Sequence, residues 1–203
     1  MYTLLLHLTA PELIWETGHV NTPDRLPAAQ TVPPKRVVLT LLAGALGLPH
    51  RERVPDEVLV SLAVGVRVLE PGRVHLRGRT LTTTDAAFLV GIAGTRRVLE
   101  RVSRAVRRPA VTGLHVGGRR LDVRLRVERD AARQSLVHAL ELPAAGRPGT
   151  LRVVEAPPGA RPPRGAVIAT LLDQPDGRLF GGGTVERGVW VWWGAPLRNS
   201  GER

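Results

Sequence analysis

Cysteine is absent from this chain of 203 residues, and with it go disulfides, thiolate metal sites and any cysteine nucleophile. A chain without them suits a reducing cytoplasm, which is the expected location. Lysine is almost absent too: Lys35 is the only one, and every other basic residue is arginine. Tyr2 is the only tyrosine, Met1 the only methionine, and there are two phenylalanines. The scarcity of Lys, Phe, Tyr, Ile and Asn beside abundant Ala, Arg, Gly, Pro and Val fits a GC-rich genome. That bias explains arginine over lysine but not arginine over acid. No segment approaches the roughly 18 apolar residues that a membrane span requires. The opening run Leu4 to Leu8 is broken by His7 and has no basic region before it, so it reads as a first strand and not a signal peptide.

What is plentiful is positive charge. The formal net charge is +11 and the isoelectric point is near 11.6. Neutralising phosphates with basic side chains dominates non-specific nucleic-acid affinity, so a polyanionic partner is expected. The length suffices for one large or two small packed units with a real core.

The most informative segment runs Pro33, Pro34, Lys35, Arg36 and then Val37 to Gly47. Proline fits a helix start and glycine its end, so the segment predicts a helix with two cations in its first turn. Cations there oppose the helix dipole at roughly 0.3–1 kcal/mol each. An anion held by the amides and by Lys35 and Arg36 would compensate, and makes this a candidate phosphate site. The other reading is that both side chains bend into solvent.

Along the chain, Tyr2–Leu8 reads as a strand and Thr9–Val32 as a long proline-rich connection carrying Trp15. Val64–Val68 and Ala86–Ile92 read as further strands. A second helix begins at Gly94 and Thr95 and stops at Pro109. Its apolar residues Val98, Leu99, Val102, Ala105 and Val106 recur at helical spacing, and Arg96, Arg97, Arg101, Arg104, Arg107 and Arg108 fill the rest. A solvated basic face covering a sheet is the favoured reading for most of these arginines. A fourth strand is expected near Val111–Val116. The order strand, helix, strand, strand, helix, strand predicts an α+β, ferredoxin-like (RRM-type) domain over residues 1–122.

Gly117, Gly118, Arg119 and Arg120 follow, where adjacent glycines permit close approach and paired arginines match phosphate oxygens. The same four residues also describe a surface turn. Residues 123–203 predict a smaller β-rich part, with a short helix in Ala131–Leu142 and strands at Thr150–Glu155, Ala166–Leu172 and Val189–Trp193. Trp190 and Trp192 read as core plus a subunit interface, and Trp15 is placed at a partner interface with them. No Asp, Glu and His set has metal-ligand spacing, and neither a Ser-His-Asp set nor a phosphate-binding P-loop is present, so no cofactor, metal or catalytic residue is assigned.

Five segments in order resemble one family, the CRISPR-associated CasD family, the "Cas-five" subunit of type I-E Cascade. Pro33 to Gly47 is similar to its P-T-[KR]-S-G-x-x-G-L-L-x-A-x-L-G segment. Pro11 and Trp15 resemble its G-P-x-Q-x-W-G, and Asp85 to Val90 its D-A-x-F-x-V strand. Arg107 to Pro109 resembles the end of its second helix, and Gly118 to Arg120 its G-R-R loop. The resemblance covers most of residues 1–125 and fades afterwards.

It implies an RRM-like fold and a non-catalytic role, capping the five-prime handle of crRNA within a hetero-oligomer. It implies contacts with a Cas-seven-like backbone subunit and a large PAM-reading subunit, with target DNA engaged only indirectly and no membrane contact. Lys35, Arg119 and Arg120 match the family's basic positions and are assigned to handle phosphates. Arg36 and Val37 stand where the family has Ser-Gly, Thr40 replaces a glycine, and Leu121 and Asp122 replace Ser-Cys. The family's long β-hairpin thumb is represented only by Glu70–Thr84, with Arg73, His75, Arg77 and Arg79 as a compact basic substitute. Two alternatives are kept: a metal-independent crRNA-processing endoribonuclease built on Tyr, Lys and His, and an RNA-independent scaffold.

Overall fold

The computed structural model describes residues 1–16, 20–21, 31–48, 57–77, 80–109, 114–116, 119–141, 151–157, 159, 161–163, 166–175 and 184–193. In chain order the strands and helices are β1 (Tyr2–Glu16), β2 (Val20–Asn21), α1 (Lys35–Ala45), α2 (Glu57–Val60), β3 (Ala63–Glu70), β4 (Arg73–Arg77), β5 (Thr80–Gly94), α3 (Arg96–Arg107), β6 (Leu114–Val116), β7 (Arg119–Leu121), β8 (Arg124–Ala132), α4 (Leu136–Glu141), β9 (Leu151–Glu155), β10 (Val167–Pro175) and β11 (Thr184–Trp193). Among the described residues this is a mixed fold of four helices and a mostly antiparallel sheet. The sheet runs β2-β10-β11-β9-β3-β5-β1-β8, β4 pairs with β5 outside that path, and β6 and β7 form a ladder of their own.

Both faces of the sheet are covered, which is why its central strands are apolar almost throughout instead of alternating with polar residues. Leu4, Leu6 and Leu8 of β1, Val64, Val66 and Val68 of β3, and Phe88, Val90 and Ile92 of β5 share one face. Val38, Leu39 and Leu42 of α1 and Leu99, Val102 and Val106 of α3 join the same core. On the opposite face Leu5, Leu89, Val154 and Trp190 pack with Leu136, Ala139 and Leu140 of α4.

Gly65 and Gly91 are cross-strand neighbours beneath that helix. A Cβ at Gly91 would stand 2.5 Å from Leu136 Cδ1, and one at Gly65 2.8 Å from Leu140 Cδ1, so the missing side chains let α4 approach the sheet. Arg67 Nη1 and Arg152 Nε both donate to the Leu140 carbonyl, at 3.3 and 3.4 Å. These two buried arginines face each other across the β3–β9 ladder, and burial pushes both below the usual arginine range.

The β-rich part from residue 123 adds its strands to the same sheet, β8 beside β1 and β9 beside β3. The fourth strand of the β3-β5-β1 group is therefore β8. Of the strand expected over Val111–Val116, Leu114–Val116 form β6 and pair with β7 instead of β1, whose flank β8 occupies; residues 111–113 lie outside the described residues. Of the helix expected over Ala131–Leu142, the described residues Leu136–Glu141 form α4. The ladder with β1 holds the chain extended through Ala132, and the Ser135 hydroxyl then accepts the His138 amide at 3.2 Å as an N-cap does.

β1 is twice its expected length. The expected strand covers Tyr2–Leu8, and Pro11 beyond it donates no ladder hydrogen bond. Here it falls at the step between Ala10↔Ala86 and Glu12↔Thr84, beside Asp85, whose φ of 56° breaks the regular ladder at that point. Pairing then resumes through Glu16↔Thr80, so β1, β5 and β4 continue past the body of the sheet as a three-stranded arm. Gly72 makes the turn between β3 and β4 with φ of 64°, and a Cβ there would run into the Thr84 carbonyl oxygen.

Candidate nucleic-acid interface

The helix start expected to hold a phosphate holds a carboxylate of the chain itself. Pro34 occupies the N-cap of α1 without a side-chain cap, and its carbonyl accepts the Val37 and Val38 amides. Lys35 turns inward and is 1% exposed. Its Nζ donates to Glu155 Oε2 at 3.0 Å and Oε1 at 3.3 Å, and Oε2 also accepts the Val64 amide at 3.2 Å. One carboxylate thus ties together α1, β3 and β9. The surface role expected for Lys35 is corrected accordingly. Its neighbour Arg36 is exposed, so of the two adjacent cations one is structural and one faces solvent.

The arm carries the compact basic segment. Arg73 and His75 are exposed on β4, and their register partners on β5 are Thr84 and Thr82. Arg77 continues this row opposite Thr80; its side chain, like Arg79 altogether, lies outside the described residues. The opposite face of the arm is closed by Leu13, Trp15, Leu81 and Thr83, each at most 4% exposed. Guanidinium, imidazole and hydroxyl groups on one side of a backed ribbon are donors suited to phosphate and sugar oxygens. Asp85 pairs with Arg73 at 3.2 Å, and both side chains are well exposed, so solvent screens this contact and leaves the arginine available.

The Gly-Arg-Arg segment forms the second candidate element. Register places Val116 opposite Arg119 and His115 opposite Arg120, with β6 lying beside α1 and β7 beside β1. Gly117, Gly118 and the side chains of Arg119 and Arg120 lie outside the described residues. Trp15 and Trp190, expected at a partner interface, are core residues instead. Trp15 closes the arm at 4% exposure and Trp190 packs under α4 at 5%, because β1 and β11 turn these positions toward the covered faces. Trp192 sits in β11 opposite Arg152, and its side chain is outside the described residues.

The basic face of α3 divides in two. Arg96 Nε donates to Glu100 at 2.7 Å, and Arg107 Nη2 reaches both oxygens of Asp130 at 2.9 and 3.0 Å. The Ser103 hydroxyl also donates to Asp130 at 2.8 Å, and this bond followed by Arg107 holds that carboxyl below its ordinary range. Asp130 thereby fastens α3 to β8. Arg97, Arg101, Arg104 and Arg108 stay exposed at spacings of four, three and four. Three like-charged neighbour pairs along this row cost about 1 kcal/mol together at ~0.2–0.5 kcal/mol each.

Glu155, Asp85 and Asp130 were the residues that sequence reasoning missed. Asp85 alone had a local signal, the segment in which it was quoted. Among the described residues no group of three His, Asp or Glu side chains is placed to hold a metal ion, and no helix is long and apolar enough to cross a membrane.

No family model matches this chain, and no curated protein matches it. Solved structures do. One described as "Crystal structure of Cas protein" is 29% identical, with a TM-score of 0.71, over 96% of this chain and 95% of its own. A chain of a structure described as "CRISPR RNA-guided surveillance complex" is 15% identical, with a TM-score of 0.60, over 95% of this chain and 90% of its own, and shows a shared fold.

Proposed function

We propose that this chain is an RNA-binding, non-catalytic subunit of a CRISPR effector complex, capping the five-prime handle of crRNA. The observation that carries the reading is the 29% identity to a Cas protein across nearly the whole of both chains. The strand order supports it. In β3-β5-β1-β8 every neighbouring pair is antiparallel, and α1 and α3 join one core cluster with it, an order that we read as ferredoxin-like, two interleaved split βαβ units. The handle would meet Arg36, the β4 row of Arg73, His75 and Arg77 with Arg79, and the segment Gly117, Gly118, Arg119 and Arg120. These contacts are to phosphates, with Lys35 serving the fold beneath them.

Burial of Lys35 in an ion pair supports the absence of catalysis, since it withdraws the only lysine from acid–base work. In this reading the neighbours are a Cas-seven-like backbone subunit and a large PAM-reading subunit.

Co-purification with the products of neighbouring genes, followed by sequencing of bound RNA, tests the proposal. Short RNAs with one invariant five-prime end in a multi-protein complex are expected. A lone RNA-free monomer under the same conditions would sink it.

A further inference from the structure

We infer that the exposed arginine row of α3 is a separate binding track for the phosphate backbone of double-stranded DNA. It goes beyond the handle reading and does not depend on it. The row consists of Arg97, Arg101 and Arg104 with Arg108 at the C-cap. Successive spacings of four, three and four residues keep these side chains on one side of the helix. At 1.5 Å per residue they extend over roughly 16 Å.

The two acids close at hand have their side-chain partners outside the row. Glu100 is held by Arg96, and Asp130 by Ser103 and Arg107. Among the described residues none of the four row arginines forms an ion pair with a carboxylate; Arg104 Nε donates only to the Glu100 carbonyl, at 3.4 Å. The row keeps its like charges in register and turned to water, an arrangement that an external line of negative charge would relieve.

The chemistry of the row selects the occupant. The exposed residues of α3 are arginines and one glutamate, with no aromatic ring to stack on a base and no Asn or Gln to read one. Single-strand recognition draws on stacking, which this surface lacks. A duplex carries an unbroken line of phosphates on its outside, which a row of cations roughly 16 Å long can follow. Arginine forks match phosphate oxygens without reading sequence, so this contact is expected to be indifferent to base order.

The test uses the full-length chain and a fluorescent 30-base-pair DNA duplex of arbitrary sequence, with binding followed by anisotropy across a salt series. A variant carrying Arg97→Gln, Arg101→Gln, Arg104→Gln and Arg108→Gln is compared with the matching four-fold lysine variant and with the pair Arg101→Gln and Arg104→Gln. Removing four phosphate contacts should lower the slope of log K against log salt by about 3 to 4 and weaken binding on the order of 1000-fold at 0.1 M salt. The pair should lower the slope by about 2, and the lysine variant should keep affinity within roughly 10-fold of the parent, because the contacts are to charge. Affinity for single-stranded handle RNA should change less than about 3-fold, as the arginines assigned to the handle are left in place.

Duplex binding by the four-fold glutamine variant equal to that of the parent overturns the inference. So does a parallel loss of RNA and duplex binding, which would make the row part of the RNA site. Loss of a protein subunit from the purified complex with duplex affinity unchanged also overturns it, in favour of an acidic protein surface. A parent that binds duplex but no handle RNA defeats the capping proposal and leaves this one standing.

Discussion

Replacing Lys35 with Met should destabilise the protein and leave its intrinsic affinity for RNA intact, the reverse of what a phosphate-contacting lysine would do. The magnitude follows from the geometry. Removing one member of a buried ion pair costs about 3–5 kcal/mol when the remaining charge is wholly shut from water. Here the Glu155 side chain is 23% exposed, so water reaches the stranded carboxylate and about 2–3 kcal/mol is expected. For a chain of this size each kcal/mol moves the melting temperature by roughly 2–4 °C, which places Lys35→Met about 5–10 °C below the parent. Glu155→Gln keeps an acceptor for the Val64 amide, so the double variant Lys35→Met with Glu155→Gln should regain part of the loss, with a coupling of about 1.5 kcal/mol. Thermal melts and urea titrations of the four proteins close the cycle, and RNA affinity is measured on each at 20 °C, where all remain folded. A Lys35→Met variant that melts within 1 °C of the parent while losing RNA affinity about 10-fold would refute the reasoning, and would return the lysine to the surface role first read from its position.

His7 lies half-buried on β1, and burial first, then the neighbouring Arg126, lowers its pKa from 6.5. The unfolded chain binds this proton more tightly, so the contribution to stability is complete above pH 6.5 and is lost as the pH falls through the lower folded value. Melting temperature should therefore decline from pH 7 to pH 5 less steeply in His7→Gln than in the parent; identical slopes would contradict this. Gly91→Val drives a side chain into Leu136 and should cost about 2 kcal/mol, with partial recovery when Leu136→Ala is added. A Gly91→Val protein as stable as the parent would mean that α4 does not rest on the glycine pair.

The elements were far more legible than their partners. Pro34 and Gly47 bracketed α1, and Thr95 and Pro109 bracketed α3, because helix ends are chosen by residues within a turn of them. Strand pairing carries no such local mark. Nothing near Lys35 indicates that its counter-ion is 120 positions away, and nothing near Trp190 shows that β9 and α4 will enclose it. That β1 runs on past Leu8 through Pro11 was hidden for the same reason: a proline's missing amide matters only if the opposite position needs it, and the irregular backbone at Asp85 means that it does not. The basic segments were legible as charge. Which of their cations stay in water depended on Glu100, Asp130 and Glu155, three acids that look unremarkable in the sequence.

The order in which strands enter the sheet sets an order of events during synthesis. β1, β3 and β5 are complete once residue 94 has been made, yet the outer positions beside them go to β8 and β9, which end at residues 132 and 155. Until then Lys35 lacks Glu155, Arg67 lacks the Leu140 carbonyl, and the apolar edges of β1 and β3 stand open. A nascent chain at this stage carries two cations that belong in the interior and two strands without neighbours, a state prone to pairing with other chains. At a ribosomal rate of about 5–20 residues per second the interval lasts roughly 3–12 seconds, and the half of the chain that carries the basic surface waits for the other half to finish it.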